Sequence, residues 1–216
     1  MSTIQITPRR QLAVAAAERE HLERRARHLA WGGNAWHILE FAIAIGAGIA
    51  AGSIALVAFG ADSLIEGGAG LVIVWLFTGA RRGSMTAERR AQQFVAVSYF
   101  VLAAYVTVDA VLALMGGHHP DISWVGIGLA AVTAPTMPLL ARAKRKVGHA
   151  LGSSATVSEA QQNQLCAYLS IALLVGLGAN AAFGWWWADP VAALVIAAVA
   201  GREGRESWKG ESCECC

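Results

Sequence analysis

The sequence has few charged residues. Only 15% of its 216 residues are Asp, Glu, Lys or Arg, compared with about 25% in an ordinary soluble domain, and its mean hydropathy is +0.47. A single soluble enzyme domain is therefore largely excluded, because such a domain needs a large polar surface. Intrinsic disorder is excluded as well, because Ala, Leu, Ile and Val dominate the chain.

Motifs of nucleotide-dependent and hydrolytic enzymes are missing. The sequence contains no P-loop, no G-x-S-x-G elbow, no dinucleotide-binding fingerprint and no H-E-x-x-H helix. ATP-driven transport by this chain alone is therefore unsupported. We expect no enzymatic activity, no bound cofactor and no nucleic-acid partner.

Long stretches without charge predict membrane-spanning helices. Residues 41–61, 122–141 and 160–188 contain no charged side chain, and each is long enough for the roughly 20 residues that a helical span needs. Three further spans follow when isolated acids are tolerated. The predicted helices are 32–51, 55–80, 93–116, 122–142, 155–182 and 190–205. The predicted fold is therefore all-α, a polytopic membrane protein with six transmembrane helices in the lipid bilayer.

The basic residues all lie on one side of this six-helix arrangement. The 17 Lys and Arg residues precede helix one, connect helices two and three, connect helices four and five, or close helix six. Because Lys and Arg concentrate in cytoplasmic connections, we expect both termini in the cytoplasm and the protein in a plasma or inner membrane. We divide the chain into a charged cytoplasmic arm (1–30), a transmembrane domain (31–206) and a cysteine-rich cytoplasmic tail (207–216).

Two acidic residues lie near the middle of predicted helix two. Asp62 and Glu66 are four residues apart and share one helix face, about 12 and 18 Å from the start of the helix. A charge there costs roughly 2.5–3.5 kcal/mol, and such residues usually mark transport pathways or binding sites. Ionised carboxylates bind a divalent cation and protons displace it, so the pair predicts a site of competition between metal and protons. The alternative is two protonated acids that are hydrogen-bonded to neighbouring helices.

Helix five has a second polar face. Glu159, Gln162 and Cys166 are spaced to lie on one side of a helix that is otherwise rich in Ala, Leu and Gly. A thiolate and a carboxamide oxygen could complete a four-coordinate metal site, or the face could line a hydrated cavity. Cys166 could equally be a small buried hydrophobic residue. Helices two and five resemble each other weakly, but we do not infer a repeat from their spacing.

Helices one and three also contain polar residues within the apolar spans. Asn34, His37 and Glu40 recur every three residues near the cytoplasmic end of helix one. They could relay protons or admit a cation, or they could form an interhelical hydrogen-bond cluster. Asp109, one turn after Tyr105 in helix three, has the same two interpretations.

Three of the four cysteines lie in the last four residues. Cys213, Cys215 and Cys216 face the reducing cytoplasm in the predicted topology, where disulfides are rare. Clustered thiols bind soft or borderline ions such as Zn²⁺. The tail is therefore either a metal site or a terminus without a specific function.

The chain resembles the cation diffusion facilitator family of metal/proton antiporters. Residues 53–56 (Ser-Ile-Ala-Leu) lead into residues 61–66 (Ala-Asp-Ser-Leu-Ile-Glu), which are similar to the family's acid-x-x-x-acid transport motif. Asp189 and Pro190, which we expect to cap helix six, precede a small apolar run similar to the family's start of that helix. The resemblance covers roughly residues 30–209.

The resemblance implies a cation-efflux-like bundle that exports a divalent metal ion, with Zn²⁺ as the best candidate, in exchange for protons. Asp62 and Glu66 would be the primary ligands, with Gln162, Cys166 and Glu159 facing them, and a homodimer is one assembly that the family allows. The chain departs from the family at helix five, where Gln162 and Cys166 occupy the positions of a usual His-x-x-x-Asp. It also has only the cysteine tail where the family usually has a cytoplasmic metal-binding domain.

Two other functions fit the same sequence. A membrane protein could bind or sense metal through Cys213, Cys215 and Cys216 without transporting it. A proton-linked carrier for a small organic solute would use the intramembrane acids without binding metal. The separation between the Asp62/Glu66 carboxylates and the side chains of helix five distinguishes a metal site from these alternatives.

Overall fold

The computed structural model describes residues 8–76, 85–116 and 119–209. These residues form six helices and no strand, which confirms the predicted all-α membrane bundle. The helices are α1 (Pro8–Ala51), α2 (Ile54–Leu76), α3 (Met85–Gly116), α4 (Trp124–Leu151), α5 (Ser154–Phe183) and α6 (Ala188–Lys209).

Five of the six helices, α1 to α5, are long and apolar enough to cross a membrane. In α6 the uncharged part runs from Pro190 to Gly201 and ends at Arg202, which corresponds to roughly 18 Å of helix. This helix packs mainly against α3 and also contacts α2 and α5. Neighbouring helices therefore cover much of its short apolar length.

Several helices extend beyond the predicted ends, and the largest extensions are on the side with the basic residues. The predicted arm and first span form one continuous helix from Pro8 to Ala51, and α4 continues past residue 142 to Leu151. The predicted ends were placed where charge begins. Arg, Lys, Glu and Ala are good helix formers, however, so the helices continue past the apolar boundary.

Two helical hairpins have the same turn. In the α1–α2 turn Gly52 has φ 65° and the Ser53 amide donates to the Gly48 carbonyl at 2.9 Å. In the α4–α5 turn Gly152 has φ 62° and the Ser153 amide donates to the Gly148 carbonyl at 3.0 Å. Glycine adopts this left-handed conformation without the steric cost that a Cβ imposes.

The two hairpins have opposite orientations in the bundle. The Asp121 amide, just before α4, donates to the Ala51 carbonyl at the end of α1 at 2.8 Å. The start of α4 therefore lies at the end of the bundle that contains Ser53, and its last turn lies at the opposite end. We call these the Ser53 end and the Ser153 end. Such inverted repeats are common in membrane transporters.

The inverted repeat establishes a relation that the sequence spacing alone did not. The turn residues Gly48, Gly52 and Ser53 of the first hairpin recur in the second hairpin 100 residues later. Gln162 and Cys166 are therefore the counterparts of Asp62 and Glu66. Each of these two pairs lies two to three turns inside its helix. The pairs therefore approach each other near the middle of the bundle.

Asp189, in the first turn of α6, also caps the start of α2, a role that was not predicted. Ser53 donates its hydroxyl hydrogen to the Asp189 carboxylate, which also accepts from the amides of Ile54 and Ala55 at 3.0 and 3.3 Å. These amides belong to the first turn of α2, where helix N–H groups lack intrahelical acceptors. Asp189 therefore fastens the start of α6 to the start of α2.

Apolar side chains either form the core of the bundle or face outward. The core includes Ala55, Leu56 and Phe59 of α2, all fully buried. Apolar side chains of α3 such as Val101, Val108 and Met115 are instead exposed. On a membrane-spanning helix this face contacts lipid, which makes the bilayer a partner of the chain.

Candidate functional site

Helices α1, α2 and α5 bring five side chains together near the middle of the bundle. We call this set the central cluster. Each member is at most 3% exposed, and its members are His37, Glu40, Asp62, Glu66 and Cys166. Buried groups of this kind are costly in a membrane unless they pair, bind protons or bind an ion.

Three members come from α2 and α5. One ligand atom each from Asp62, Glu66 and Cys166 lie within 4.8 Å of one another. The inverted hairpins explain this proximity, because Glu66 and Cys166 occupy equivalent depths from opposite ends. The predicted approach of helix five to the two acids is therefore present in the structure.

The other two members come from α1. His37 Nδ1 lies 3.3 Å from Glu66 Oε2 and 3.5 Å from Glu40 Oε2, and these three residues also place one ligand atom each within 4.8 Å of one another. The tight α1–α2 turn positions α1 along α2, so that His37 and Glu40 lie beside the predicted ligands. Glu66 belongs to both groups.

Neutral polar side chains hold the α1 residues in place. Glu40 accepts hydrogen bonds from Thr133 of α4 at 2.5 Å and from Ser63 of α2 at 2.9 Å. His37 Nε2 contacts Asn163 Nδ2 of α5 at 3.0 Å. None of these three partners was predicted from the sequence. Ser63 and Asn163 directly follow the counterparts Asp62 and Gln162, so the repeat could have indicated two of them.

Two atoms of the central cluster have no hydrogen-bond partner within the described ranges. They are His37 Nδ1 and Glu66 Oε2, which face each other and are inaccessible to solvent. Buried polar atoms are normally hydrogen-bonded. Their arrangement therefore needs an explanation, and a bound ion or proton supplies one.

Glu159, predicted to face Asp62, is paired elsewhere. Its Oε1 accepts from Lys144 Nζ at 2.6 Å in a buried ion pair between α4 and α5. Seven residues, or roughly 10 Å of helix, separate it from Cys166, and neither ligand group includes it. The structure thus supports charge pairing for Glu159 rather than ligation beside Asp62.

Lys144 was predicted to lie in a cytoplasmic connection, but it is only 1% exposed. Because α4 continues to Leu151, residue 144 lies about two turns inside the helix. Its ammonium approaches Gly33 of α1 so closely that a Cβ there would be 2.9 Å away. The Lys144–Glu159 pair therefore lies between α1, α4 and α5, on the Ser153 side of the central cluster.

Two further predicted residues are buried near the central cluster without belonging to it. Asn34 is 3% exposed. When its amide is oriented so that both of its polar atoms are satisfied, it donates to the Gly67 carbonyl at 3.1 Å and accepts from the Leu71 amide at 3.3 Å, both in the backbone of α2. Gln162 is 6% exposed and lies one turn before Cys166. Asn34 therefore joins α1 to α2, whereas Gln162 remains a candidate ligand.

Asp109 lies away from the central cluster. With Tyr105 it lines a cavity of about 370 Å³ whose other walls include Gly48 and Ser53, near the Ser53 end. The predicted tail site, formed by Cys213, Cys215 and Cys216, lies outside the described residues.

Comparison with known families agrees with this architecture. The sequence model of the cation efflux transmembrane domain matches residues 37–209, which is most of the chain and includes every member of the central cluster. A search of curated proteins found no match.

Proposed function

The chain belongs to the cation efflux family, and we propose that it exports a divalent metal ion of the zinc type in exchange for protons. One observation carries the proposal: Asp62, Glu66 and Cys166 are buried at mid-span with ligand atoms within 4.8 Å of one another. The family supports cation transport, and the central cluster supports a metal ion as the cation.

The donor set favours a borderline divalent ion. Two carboxylates can balance the charge of one divalent cation, and a thiolate adds a soft ligand of the kind that Zn²⁺ and Cd²⁺ accept. Ions that prefer only oxygen ligands, such as Mg²⁺ and Ca²⁺, gain less from a sulfur. We therefore propose Zn²⁺ as the principal substrate.

We take the outward direction of transport from the family, and charge then explains why export needs coupling to protons. We place the Ser153 end, where most basic residues lie, in the cytoplasm. Moving two positive charges outward against 100 mV, negative inside, costs about 4.6 kcal/mol. Protons that enter and displace the metal from Asp62 and Glu66 would offset this cost, since carboxylates bind metal only when ionised.

The inverted hairpins provide a route for alternating access. In transporters with such repeats, one repeat moves against the other around a site near the membrane midplane. Here α2 and α5 carry the two halves of the Asp62/Glu66/Cys166 group, one from each hairpin. A rocking motion between the hairpins would expose the group to one side of the membrane at a time.

The test is metal flux into liposomes that contain the purified protein, under an imposed pH gradient. We expect Zn²⁺ transport by the wild type and its loss in a variant that combines Asp62→Asn with Glu66→Gln. A matched control combines Asp121→Asn with Glu20→Gln, because these residues are exposed and lie outside the central cluster. The control should transport zinc at the wild-type rate.

The proposal is wrong if the wild type moves none of Zn²⁺, Cd²⁺, Mn²⁺, Fe²⁺ or Co²⁺, or if the double variant transports as well as the control. A further variant that lacks residues 211–216 separates the central cluster from the cysteine tail. Transport should persist without the tail. Metal binding that requires the tail but not Asp62 would instead indicate a metal-binding protein that does not transport.

A further inference from the structure

We propose that the transported cation has a second binding position, formed by His37, Glu40 and Glu66. This inference rests on the proposed function, because it concerns the path of the same ion. Glu66 is shared with the Asp62/Glu66/Cys166 position, so that one ion occupies either position and passes between them without leaving this carboxylate.

The distances from His37 Nδ1 to the two Glu carboxylates match those between ligands of one tetrahedral ion. Zinc lies about 2.1 Å from nitrogen and oxygen ligands, so two ligands at the tetrahedral angle are about 3.4 Å apart. His37 Nδ1 lies 3.3 Å from Glu66 Oε2 and 3.5 Å from Glu40 Oε2. All three residues are at most 3% exposed.

The facing atoms are available to an ion. His37 Nδ1 and Glu66 Oε2 are close enough for a hydrogen bond, yet neither has a hydrogen-bond partner among the described residues. A direct bond between them would have satisfied both atoms. Two adjacent buried atoms without hydrogen bonds need another partner, and a cation bound by both would supply it.

Neighbouring residues orient the two α1 ligands as in metal sites. Imidazole ligands usually bond through their second nitrogen, and ligating carboxylates are hydrogen-bonded in turn. His37 uses Nε2 toward Asn163 at 3.0 Å, which leaves Nδ1 toward the acids. Glu40 is held by Ser63 and Thr133. This support distinguishes the group from a chance collection of acids.

The two positions overlap in depth along the bundle, and only Asp62 lies clearly closer to the Ser53 end. Along α1, Glu40 and His37 lie about 16 and 21 Å from the Ser53 end, whereas Asp62 lies about 12 Å from it along α2. An ion that enters from the Ser153 end reaches His37 before Asp62. Because the other members, Glu40, Glu66 and Cys166, lie at depths between these limits or close to them, the two positions differ mainly in the helices that form them: α1 and α2 hold one, and α2 and α5 hold the other.

The experiment is X-ray absorption at the zinc edge on the full-length protein loaded with one equivalent of Zn²⁺. Cys213, Cys215 and Cys216 are replaced by serine in every sample, so that sulfur scattering reports on Cys166. The variants are His37→Gln, Asp62→Asn and Cys166→Ser. His149→Gln is the matched control, since His149 is exposed near the end of α4.

We expect imidazole scattering in the unmodified site, its loss in His37→Gln and its retention in His149→Gln. Asp62→Asn and Cys166→Ser should still bind zinc, with imidazole scattering retained and, for Cys166→Ser, sulfur scattering lost. The inference is overturned if His37→Gln leaves the imidazole scattering unchanged. It is also overturned if Asp62→Asn and Cys166→Ser both bind no zinc while remaining monodisperse. Failure of the proposed function gives a different result, namely no zinc flux by the wild type.

Discussion

At the scale of single residues, the ion pair between Lys144 and Glu159 balances two charges inside the helix bundle. Both side chains are almost completely buried, and their charged atoms are 2.6 Å apart. Removing one member of a buried pair leaves an uncompensated charge, which typically costs about 3–5 kcal/mol. Removing both charges together costs much less.

We therefore expect Lys144→Met to lower the free energy of unfolding by about 3–5 kcal/mol. The double variant Lys144→Met/Glu159→Gln should regain most of this loss, because no unpaired charge remains. Unfolding in detergent, followed by tryptophan fluorescence, measures both effects. Equal destabilisation in the single and double variants would show that the pairing contributes little.

The residues that support the central cluster should affect transport without binding metal themselves. Thr133 donates to Glu40 at 2.5 Å, and loss of such a supporting partner usually weakens metal affinity or activity about 10- to 100-fold. We expect Thr133→Val to raise the KM for Zn²⁺ by roughly tenfold. Initial rates of uptake at several zinc concentrations measure this change.

Thr136→Val is the matched control for this prediction. Thr136 is exposed, and within the described ranges its hydroxyl bonds only to carbonyls of its own helix, at 2.9 and 3.2 Å. The Thr136→Val variant should leave the KM for Zn²⁺ unchanged. Similar KM values for the two valine variants would mean that Thr133 does not position Glu40 for transport.

At the scale of helices, the repeated turn makes Gly152 a sensitive position. Gly152 has φ 62°, and an added Cβ would meet no atom within 4 Å. The effect of a substitution is therefore conformational, and a left-handed alanine costs about 1–2 kcal/mol.

Gly152→Ala should accordingly lower the Tm, whereas Gly152→Asn should lower it less, because asparagine tolerates the left-handed conformation. Gly178→Ala is the control, since Gly178 lies inside α5 with open space around it and alanine is the better helix former. Thermal unfolding in detergent compares the three. An equal Tm for the two Gly152 variants would contradict the conformational explanation.

Features that depend on a single helix could be predicted from the sequence, whereas features that depend on packing between helices could not. Asp62 and Glu66 were identifiable because acids are rare in apolar helices and their spacing gives a shared face. Lys144 was misplaced because its burial depends on α4 continuing past the apolar boundary. Asn163 and Thr133 acquire their roles only through packing between helices, which local periodicity does not encode.

At the scale of the whole molecule, the part of the chain that the structure describes forms as many helices as predicted, because each apolar stretch must form a helix to satisfy its backbone in lipid. The proximity of His37 to Glu66 was not predictable from that rule. It arises from the tight α1–α2 turn at Gly52 and Ser53, which places residues at similar distances from the turn beside each other on the two helices.

The orientation of the whole molecule also gives a prediction. If the basic residues face the cytoplasm, a reporter fused after residue 216 should be active as green fluorescent protein and inactive as alkaline phosphatase. A reporter fused before residue 1 should give the same result. Opposite activities at the two termini would be incompatible with six crossings.

The central claim is that a divalent cation and protons exchange through the carboxylate of Glu66, which belongs to both ligand groups. The most direct test records zinc and pH in the same liposomes, with a zinc-sensitive dye and a pH-sensitive dye enclosed together. Zinc entering wild-type vesicles should be accompanied by protons leaving, and Glu66→Gln should abolish both movements. Zinc flux that persists in Glu66→Gln, or zinc flux in the wild type without proton movement, would contradict the account.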